Sequence, residues 1–338
     1  MMSQADTISI VIPTYNMAPY LRALWDSILA SGVLDQVIEV IFVDDGSSDA
    51  SVFEVGLLKA GPRGELIEIL ALQQNQGRFL ARLRGAERAR GSRILFIDSR
   101  ITLPTDFGAA LGRLRKQYAS LCVCVDIDVS RSVYCLYWDR SHRAIFRRHY
   151  RDTQQPLELN SENFDQYLSG TTTLLCSREL FLKICKPLEN TPLMSDDNAV
   201  LKEMVREEPI VVHPEFRINW LPRESAWDFL KHLWARGPSF VEYHVVQRRQ
   251  GPFFWVSILG AFATLAWILA LFVYPQHALG VLAGFIGAVG VSVLVFTRNP
   301  LEVLKLLPLH CAVVMVFGVG ILRGLVIHSF SPWTRKNA

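Results

Sequence analysis

Two short segments near the start of this 338-residue chain decide its fold: ISIVIPTYN at Ile8 to Asn16 and IFVDDGSSD at Ile41 to Asp49. Each begins with β-branched and other apolar residues that favour a strand and ends in polar residues that favour a turn. In an open α/β sheet, ligands bind beyond the carboxyl ends of the strands. The polar residues at these two strand ends are therefore predicted to share one ligand crevice: Thr14, Tyr15, Asn16, Asp44 and Asp45.

Strand-like and helix-like segments alternate along residues 1–222. Apolar runs at 8–13, 37–44, 66–72 and 93–98 are separated by helical patterns at 19–30, 50–60 and 77–90. This alternation predicts an α/β domain with a mostly parallel, Rossmann-like sheet and helical crossovers. The chain then indicates a helix at 105–118, a strand at 121–128 and a hairpin-like stretch at 133–150.

Apolar residues are concentrated near the C-terminal end of a chain that is 50% hydrophobic. Residues 253–274 and 278–296 carry no charge, and about 20 such residues suffice for a helix to cross a bilayer. Only three residues separate these runs, which predicts a tight helical hairpin. A third run, 306–327, contains Pro308 and Arg323 and either spans or re-enters the membrane. We therefore predict a transmembrane region at 253–327, followed by a tail at 328–338.

The large N-terminal part is predicted to stay in the cytosol. Met1 to Asp6 has neither the basic region nor the apolar region of a signal peptide. Basic residues flank the predicted spans on one side, in agreement with the positive-inside rule: Arg248, Arg249, Arg298 and Lys305. The sequence thus predicts an integral membrane protein with a cytosolic domain, and membrane lipids among its partners.

Charge and cysteine usage exclude other classes. The formal net charge of +3 is small and predicts no nucleic-acid partner. Six cysteines have no metal-ligand spacing and are interpreted as reduced, structural residues: Cys122, Cys124, Cys135, Cys176, Cys185 and Cys311. Association into a homo-oligomer is left open.

The two opening segments resemble the V-I-P-x-Y-N strand and the V-D-D-G-S-x-D turn of family 2 glycosyltransferases, enzymes of the GT-A fold. A helix motif of that family, N-x-G-x-x-x-A-R-N-x-G-x-x-x-A-x-G, is matched from Asn75 to Gly91, with Leu83 in place of the second Asn. The resemblance covers roughly Ile8 to Gly237 and implies a catalytic domain at 1–224. It also implies a nucleotide-diphosphate sugar donor bound by Pro13, Thr14, Tyr15, Asn16, Asp44, Asp45, Gly46, Ser47, Gly77 and Arg82.

The metal motif of the family is altered here. Where members have D-x-D, this chain reads Phe96-Ile97-Asp98-Ser99-Arg100. The resemblance implies Mg²⁺ or Mn²⁺ held by Asp98, and one carboxylate is enough when substrate phosphates supply the other ligands. Alternatively, Arg100 lies against the donor diphosphate and replaces the charge of the metal. A third option is that donor binding is lost. A second D-x-D, Asp126 and Asp128, falls on the next strand and is interpreted as incidental or acceptor-side.

The candidate base lies in the segment MSDDN at 194–198. Family members place an acidic pair at the start of a helix here, so the resemblance implies Asp197 as the base and Asp196 beside it. An inverting transferase needs a carboxylate to take the proton of the acceptor hydroxyl. The charge of Asp196 favours proton uptake by Asp197, whereas the helix N-terminus opposes it. The direction of the pKa shift is left open, and Ser195 and Asp196 also suit helix capping.

Residues 225–252 are predicted to form an amphipathic helix in the membrane interface, because Trp227, Leu230, Leu233 and Trp234 recur at helical spacing. By resemblance, Arg236 closes over the donor diphosphate and Trp234 contacts the acceptor. An equally suitable interpretation is that Arg236 extends to lipid headgroups. The Q-x-x-R-W motif of processive synthases is absent, which favours the transfer of a single sugar.

The strand GTTTLLCSR at 170–178 resembles the family strand below the donor sugar and acceptor, which implies that Gly170 and Thr171 touch the acceptor. A Thr-rich strand also suits plain β-structure. For the basic helix after Gly77, the resemblance assigns only Arg82 to the donor. Arg84, Arg88 and Arg90 are interpreted as its solvated face.

Together these features predict a membrane-anchored, inverting family 2 glycosyltransferase in a bacterial inner membrane. It would move one sugar to a hydroxyl of a lipid-linked or glycolipid acceptor. An alternative is a polyprenyl-phosphate acceptor, whose oxygen is already ionised, although the D-A-D-L-Q motif typical of such enzymes is absent. A further alternative is a non-catalytic nucleotide-sugar or lipid-binding scaffold in envelope assembly, which Arg100 keeps open.

Overall fold

A computed structural model describes residues 6–167, 170–190, 196–246 and 252–329. The chain divides into two compact units, of which the first comprises Met1–Asp128 and Arg148–Leu221. The second comprises Val129–Arg147 and Pro222–Ala338. The predicted domain boundaries after residues 224, 252 and 327 stay predictions.

The strands in the described residues form one sheet in the first unit. Their bounds are β1 Ile8–Thr14, β2 Val37–Asp44, β3 Ile67–Ala71, β4 Arg93–Ile97, β5 Ile101–Thr102, β6 Ser120–Asp126, β7 Leu157–Leu159, β8 Thr173–Ser177 and β9 Ile210–Trp220. The order is β3-β2-β1-β4-β8-β6-β9-β5, and β7 pairs with β9. The first four strands in that order are parallel, β8 is antiparallel to both of its neighbours, and β6 and β9 are parallel. The predicted α/β sheet is confirmed, and it is mixed beyond β4.

The helices follow in chain order: α1 Ala18–Ala30, α2 Ser51–Lys59, α3 Arg78–Arg88, α4 Phe107–Leu114, α5 Val133–Ile145, α6 Arg147–Asp152, α7 Arg178–Cys185, α8 Asp196–Glu207, α9 Ala226–Val241, α10 Pro252–Val273, α11 Ala278–Phe296 and α12 Pro300–Ser329. A π-helical turn, Glu242–Val246, continues α9.

The central strand β1 is buried on both faces. Ile10 and Ile12 join an apolar cluster with Trp25 and Phe42, whereas Val11 joins a separate cluster on the opposite face. Side chains alternate across a strand, so a strand covered on both faces must be apolar at nearly every position. This explains why β1 is apolar at every position before Thr14 except Ser9, whose buried hydroxyl donates to Glu39, and why its polar end, Thr14 onward, marks the edge of the sheet.

The predicted hairpin-like stretch at 133–150 is wrong, since this segment forms α5 and α6. The hydroxyl of Ser132 caps α5 by accepting a 3.1 Å hydrogen bond from the backbone N–H of Cys135. Buried positions recur at helical spacing, with Tyr137 and Ser141 four residues apart. Aromatic residues favour strands only weakly, and packing of α5 against α11 and α12 within the second unit decides the outcome.

The C-terminal helices agree in part with the predicted spans. By length and composition, two helices among the described residues can cross a membrane, at Pro275–Phe296 and Pro300–Ser329. The described apolar part of α10 is shorter, Ser257–Val273. The predicted hairpin between α10 and α11 is confirmed, with a tight turn at Pro275–His277. The third run forms one continuous helix through Pro308.

Within the second unit, α9 packs closely on α12. A Cβ added to Gly237 would overlap the backbone of Gly320, and one added to Gly324 would lie 2.8 Å from the backbone of Pro238. Small residues allow two helix backbones to approach in this way. The segment predicted at 225–252 is helical over Ala226–Val241, and Leu233 is buried whereas Trp227 is 74% exposed. Its placement in the membrane interface stays a prediction.

Buried polar contacts also join α5 to α11 and α12. The hydroxyl of Tyr137 lies 2.7 Å from Nδ1 of His310, and the hydroxyl of Ser292 lies 2.9 Å from Nε2 of the same ring. Arg140 donates two hydrogen bonds to Glu302, at 2.9 and 2.8 Å. Because buried polar groups need partners, these contacts fix which helix faces meet.

Candidate active site

The turns after β1 and β2 are tied together by Asn16. Asn16 has a left-handed backbone (φ 53°), and its side-chain oxygen accepts the N–H groups of Ser48 (2.8 Å) and Asp49 (3.2 Å). Its own N–H donates to the Ser47 hydroxyl at 2.9 Å. In addition, the N–H of Asp45 donates to the carbonyl of Thr14 at 2.8 Å. The structure therefore brings the predicted crevice residues together, and Asn16 shapes the turn.

Asp45 holds the loop that leads into α3. Its two carboxylate oxygens accept the N–H groups of Gln76 (2.7 Å) and Gly77 (2.8 Å). Burial raises the pKa of Asp45, and the nearby charge of Asp44 adds to the rise, against the effect of the two N–H donors. Gly46 is required between the loops, because it has φ +69° and an added Cβ would lie 2.7 Å from the backbone of Gln74.

Asp44 is buried and only partly satisfied. Its Oδ2 accepts the N–H of Ser47 at 3.0 Å. Its Oδ1 is buried without a hydrogen-bond partner among the described residues. A buried acceptor without a donor is costly, so this oxygen is suited to receive an N–H or O–H from a ligand.

Arg82 lies at the centre of a charged cluster at the start of α3. Its Nη1 donates to Asp197 at 2.9 Å, and its Nη2 donates to Asp98 at 2.7 Å and to the carbonyl of Thr171 at 3.4 Å. The Arg82 side chain is only 4% exposed. A guanidinium is a rigid fork of donors, so one side chain can orient both carboxylates. Four residues predicted to serve the site thus meet in space.

The charges around Asp197 set its acidity. Burial opposes ionisation most strongly, but Arg82, Arg78 and a hydrogen bond from the Thr171 hydroxyl outweigh it, and the pKa of Asp197 is lowered. Arg78 contributes an ion pair of 3.2 Å to Asp197 and is 55% exposed. For Asp98, burial raises the pKa, aided by the charge of Asp197, despite the pairing with Arg82. The direction that the sequence left open for Asp197 is therefore downward.

Arg100 is directed to the neighbouring strand. Its Nη1 donates to the carbonyl of Leu221 at 3.2 Å, and the guanidinium lies 5.6 Å from the ring centroid of Trp220. The proposed contact of Arg100 with a diphosphate stays a prediction.

The other predicted site residues fall in several places. Tyr15 is 43% exposed beside the crevice, and the carbonyl of Pro13 accepts the Ser99 hydroxyl at 2.5 Å. The carbonyl of Gly170 accepts the Cys122 thiol at 3.3 Å. Asp196 begins α8, but its side chain lies outside the described part of the chain, as does Ser195.

Two predicted site residues belong to the second unit, where both make cation–π contacts. The guanidinium of Arg236 lies 5.1 Å from the ring centroid of Trp138. Trp234 is contacted by Arg323 at 5.2 Å. Each contact stabilises the packing of the second unit, and the roles of Arg236 and Trp234 toward donor and acceptor stay predictions.

Sequence reasoning missed Arg78 and Ser99. Arg78 and Arg82 are four residues apart and share a helix face, which was the available signal. Ser99 is buried and its hydroxyl lies 3.4 Å from that of Thr14. Nothing in its sequence context distinguishes it from an ordinary turn residue. The interpretation of Arg84, Arg88 and Arg90 as a solvated face is refined, because each pairs with a glutamate, namely Glu189, Glu68 and Glu39.

The described residues contain no group of three or more His, Cys, Asp or Glu side chains arranged to hold a metal. Asp98 is one carboxylate, 33% exposed, with Oδ1 bound to Arg82. Mg²⁺ and Mn²⁺ accept a single protein carboxylate when phosphate oxygens and water complete the coordination. Asp98 therefore fits as the one protein ligand of a cation that arrives with a diphosphate.

The sequence profile described as Glycosyl transferase family 2 matches residues 9–181, slightly more than half of the chain. The chain belongs to glycosyl transferase family 2. The matched residues include most of both opening motifs, Arg82, Asp98 and β8, whereas Asp197 on α8 lies beyond the matched range.

Two curated proteins are similar to part of the chain. EpsH of Bacillus subtilis (strain 168) is 33% identical over 122 residues, which are 36% of this chain and 34% of that protein. The undecaprenyl-phosphate 4-deoxy-4-formamido-L-arabinose transferase of Yersinia pestis (strain Pestoides F) is 37% identical over 100 residues, 29% of this chain and 30% of that protein. The chain thus spans about a third of the length of these relatives.

A solved structure supports the fold. The mannosyltransferase PcManGT from Pyrobaculum calidifontis, determined in complex with GDP-Man and Mn²⁺, has a TM-score of 0.54 with 16% identity, over 96% of this chain and 87% of that chain. The GT-A fold expected from the sequence is confirmed.

Proposed function

We propose that this protein is a membrane-anchored, inverting glycosyltransferase that moves a single sugar from a nucleoside-diphosphate donor to a hydroxyl of a lipid-linked or glycolipid acceptor. The observation that supports this function best is the cluster in which Arg82 joins Asp98 to Asp197. It combines the aspartate expected at the donor diphosphate with the aspartate expected to act as base. A transferase needs these two functions on either side of one anomeric carbon.

The nucleoside would bind at the crevice formed by the ends of β1 and β2. The buried Oδ1 of Asp44 lacks a donor among the described residues, and an N–H of a base or an O–H of a ribose would supply it. The exposed face of Arg78 is suited to the diphosphate, because a guanidinium can bind phosphate through two parallel hydrogen bonds. Asp45 and Gly46 would act indirectly by fixing the loop before α3.

Asp98 would hold the Mg²⁺ or Mn²⁺ that accompanies the donor. When bound, such a cation neutralises charge that develops on the leaving diphosphate. Arg82 would maintain the orientation of Asp98 and partly balance its charge. One cation-binding carboxylate instead of two should weaken metal affinity, and the related PcManGT structure contains Mn²⁺.

Asp197 would act as the base. Its lowered pKa keeps the carboxylate ionised at neutral pH and able to accept a proton. As the acceptor oxygen attacks the anomeric carbon, its proton would pass to Asp197 while the bond to the nucleoside diphosphate breaks on the opposite face. The Thr171 hydroxyl and Arg82 would hold Asp197 in place for this step.

The second unit would anchor the enzyme and supply the lipid environment of the acceptor. It contains two helices long and apolar enough to cross a membrane. With the charge pattern of the sequence, this supports a cytosolic catalytic unit at a bacterial inner membrane. The named activity of the Yersinia relative, which includes undecaprenyl phosphate, supports a lipid-linked acceptor.

A second candidate function is transfer to a polyprenyl phosphate, and one observation favours it. A carboxylate whose pKa is lowered by two arginines is a weak base. A phosphate acceptor is already ionised, so the reaction would need no base, and Arg78 and Arg82 would then attract the acceptor instead. The Yersinia relative is named as a transferase of this type.

The test is to measure release of nucleoside diphosphate by the detergent-purified protein, using UDP-, GDP- and dTDP-sugars with a native lipid extract. Asp197→Asn is compared with Asp26→Asn, an exposed aspartate paired with Arg22. For a hydroxyl acceptor, we expect Asp197→Asn to lower turnover by roughly 10²- to 10⁴-fold with donor binding retained. If Asp197→Asn turns over at nearly the rate of the wild type, the result supports the phosphate acceptor. No release by any variant from any donor supports the scaffold and contradicts the enzyme.

A further inference from the structure

A basic cavity lies in the first unit, at the end of the sheet opposite the donor crevice. It has a volume of about 640 Å³ and is lined by Arg90, Arg93, Arg115, Lys116 and Arg178, among others. Arg93 is the first residue of β4 and pairs with Ile8, the first residue of β1. The donor crevice lies at the opposite ends of the same strands. A strand of this length spans about 20 Å, so the cavity is separate from the candidate active site.

Two of its arginines are oriented by backbone carbonyls. Arg93 donates to the carbonyls of Arg115 (2.8 Å) and Tyr118 (2.9 Å). Arg178 donates to the carbonyls of Ala86 (2.8 Å) and Glu87 (3.0 Å). Carbonyl groups fix the orientation of a guanidinium but carry no net charge, so the positive charge of these two side chains is retained.

The acidic groups around the cavity do not balance its cations. Arg90 pairs with Glu39 at 2.7 Å. Asp6 lies 3.6 Å from both Arg93 and Arg115, and Glu179 is the remaining lining carboxylate. Among the described residues, five cationic side chains therefore face three carboxylates, of which Glu39 pairs with Arg90 and Asp6 pairs with Arg93 and Arg115.

Arg115 also lines the cavity and has two buried N–H groups, on Nε and Nη1, without a hydrogen-bond partner among the described residues. Nε forms an ion pair with Asp6 at 3.6 Å, which is longer than a hydrogen bond. Buried N–H groups of a cation are costly to leave unpaired, so Asp6 only partly compensates the charge of Arg115.

We propose that this cavity binds a small anion bearing a phosphate or diphosphate group. Guanidinium forks match phosphate oxygens, and the cavity wall presents Arg93, Arg115 and Lys116. The volume of the cavity lies within the range of small-molecule sites. This inference does not depend on the proposed transferase activity.

The test is isothermal titration of the detergent-purified full chain with inorganic pyrophosphate. The variants are Arg115→Gln and, as a matched control on the same helix end, Arg113→Gln, whose side chain pairs with Glu215. Pyrophosphate binding in the donor crevice would be common to all variants. We expect one component of binding to weaken by about tenfold or more in Arg115→Gln, because a charge-assisted hydrogen bond is lost. Arg113→Gln should bind as the wild type does.

Lys116→Gln keeps the proposal testable if Arg115→Gln does not fold, since Lys116 is exposed. We expect that variant to weaken pyrophosphate binding several-fold. Unchanged binding in both Arg115→Gln and Lys116→Gln, or an equal loss in Arg113→Gln, would overturn the proposal. Glucose 1-phosphate and dihexanoyl phosphatidic acid then distinguish a soluble ligand from a lipid headgroup, according to which loses affinity in the variants.

Discussion

The guanidinium of Arg82 donates a 2.9 Å hydrogen bond to Asp197, a residue 115 positions further along the chain. The same guanidinium holds Asp98 at 2.7 Å. Any change in the charge of one carboxylate is therefore felt by the other through a shared cation.

Arg82→Gln should reduce turnover by at least about a hundredfold, because it releases the candidate base and the candidate metal ligand together. It should also raise the pKa of Asp197, since Arg82 is the main cause of its lowering. The acidic limb of the kcat/KM profile should then move to higher pH. Arg84→Gln is the control, because Arg84 pairs with Glu87 and Glu189 instead. An unmoved limb in Arg82→Gln would contradict the assigned coupling.

Catalysis should depend on a divalent cation that is bound weakly. We expect EDTA to abolish release of nucleoside diphosphate, and Mn²⁺ or Mg²⁺ to restore it with low affinity, because Asp98 is the single carboxylate available. Asp98→Asn should raise the metal concentration needed for half-maximal rate by about tenfold or more. Turnover that persists in EDTA would show that fixed positive charge, from Arg78 or Arg100, replaces the cation.

Acid stability should depend on Glu39. Burial disfavours its charge, but hydrogen bonds from Ser9 and Arg90 outweigh burial and lower its pKa below the ordinary value of 4.5. A carboxyl with a lowered folded pKa contributes stability that is complete above the unfolded pKa and is lost as the pH falls through the folded value. Glu39→Gln should cost about 1–3 kcal/mol of unfolding free energy at pH 7. The difference from the wild type should shrink below pH 4.5.

This pH dependence is checked by denaturant unfolding of the two proteins between pH 7 and about pH 3. The exposed Glu162→Gln serves as the control and should follow the wild type at every pH. If Glu39→Gln is less stable than the wild type by the same unfolding free energy at every pH, the loss comes from packing and not from the charge of Glu39.

Close packing of α9 on α12 should not tolerate a methyl group at Gly237. An added Cβ there would overlap the backbone of Gly320, whereas nothing lies within 4 Å of a Cβ added at Gly260 on α10. Gly237→Ala should lower stability by about 1–3 kcal/mol. Gly260→Ala should be neutral or slightly stabilising, because alanine is the better helix former. Melting temperatures of the two variants in detergent measure the difference, and equal values would contradict the described packing.

Local sequence predicted the elements with strong patterns and failed where propensity was weak. Short apolar runs such as those of β1 and β2 favour a buried strand. Long uncharged runs such as those of α10 and α11 favour an apolar helix. The aromatic segment that forms α5 suits either state, and contacts of Tyr137 with His310 and of Arg140 with Glu302 decide for the helix. Those partners lie more than 160 residues away, beyond the reach of any local pattern.

The sequence alone determined the family, the two loops that shape the crevice and the apolar C-terminal helices, because each depends on neighbouring residues. Only the tertiary structure decided that Arg82 lies between Asp98 and Asp197 and that the pKa of Asp197 is lowered. It also decided that Arg115 lines a basic cavity far from the donor crevice, with two of its N–H groups buried without a hydrogen-bond partner among the described residues. The physical reason is that burial and charge act through space, so the sign of a pKa shift and the satisfaction of a donor depend on which distant residues the fold brings together.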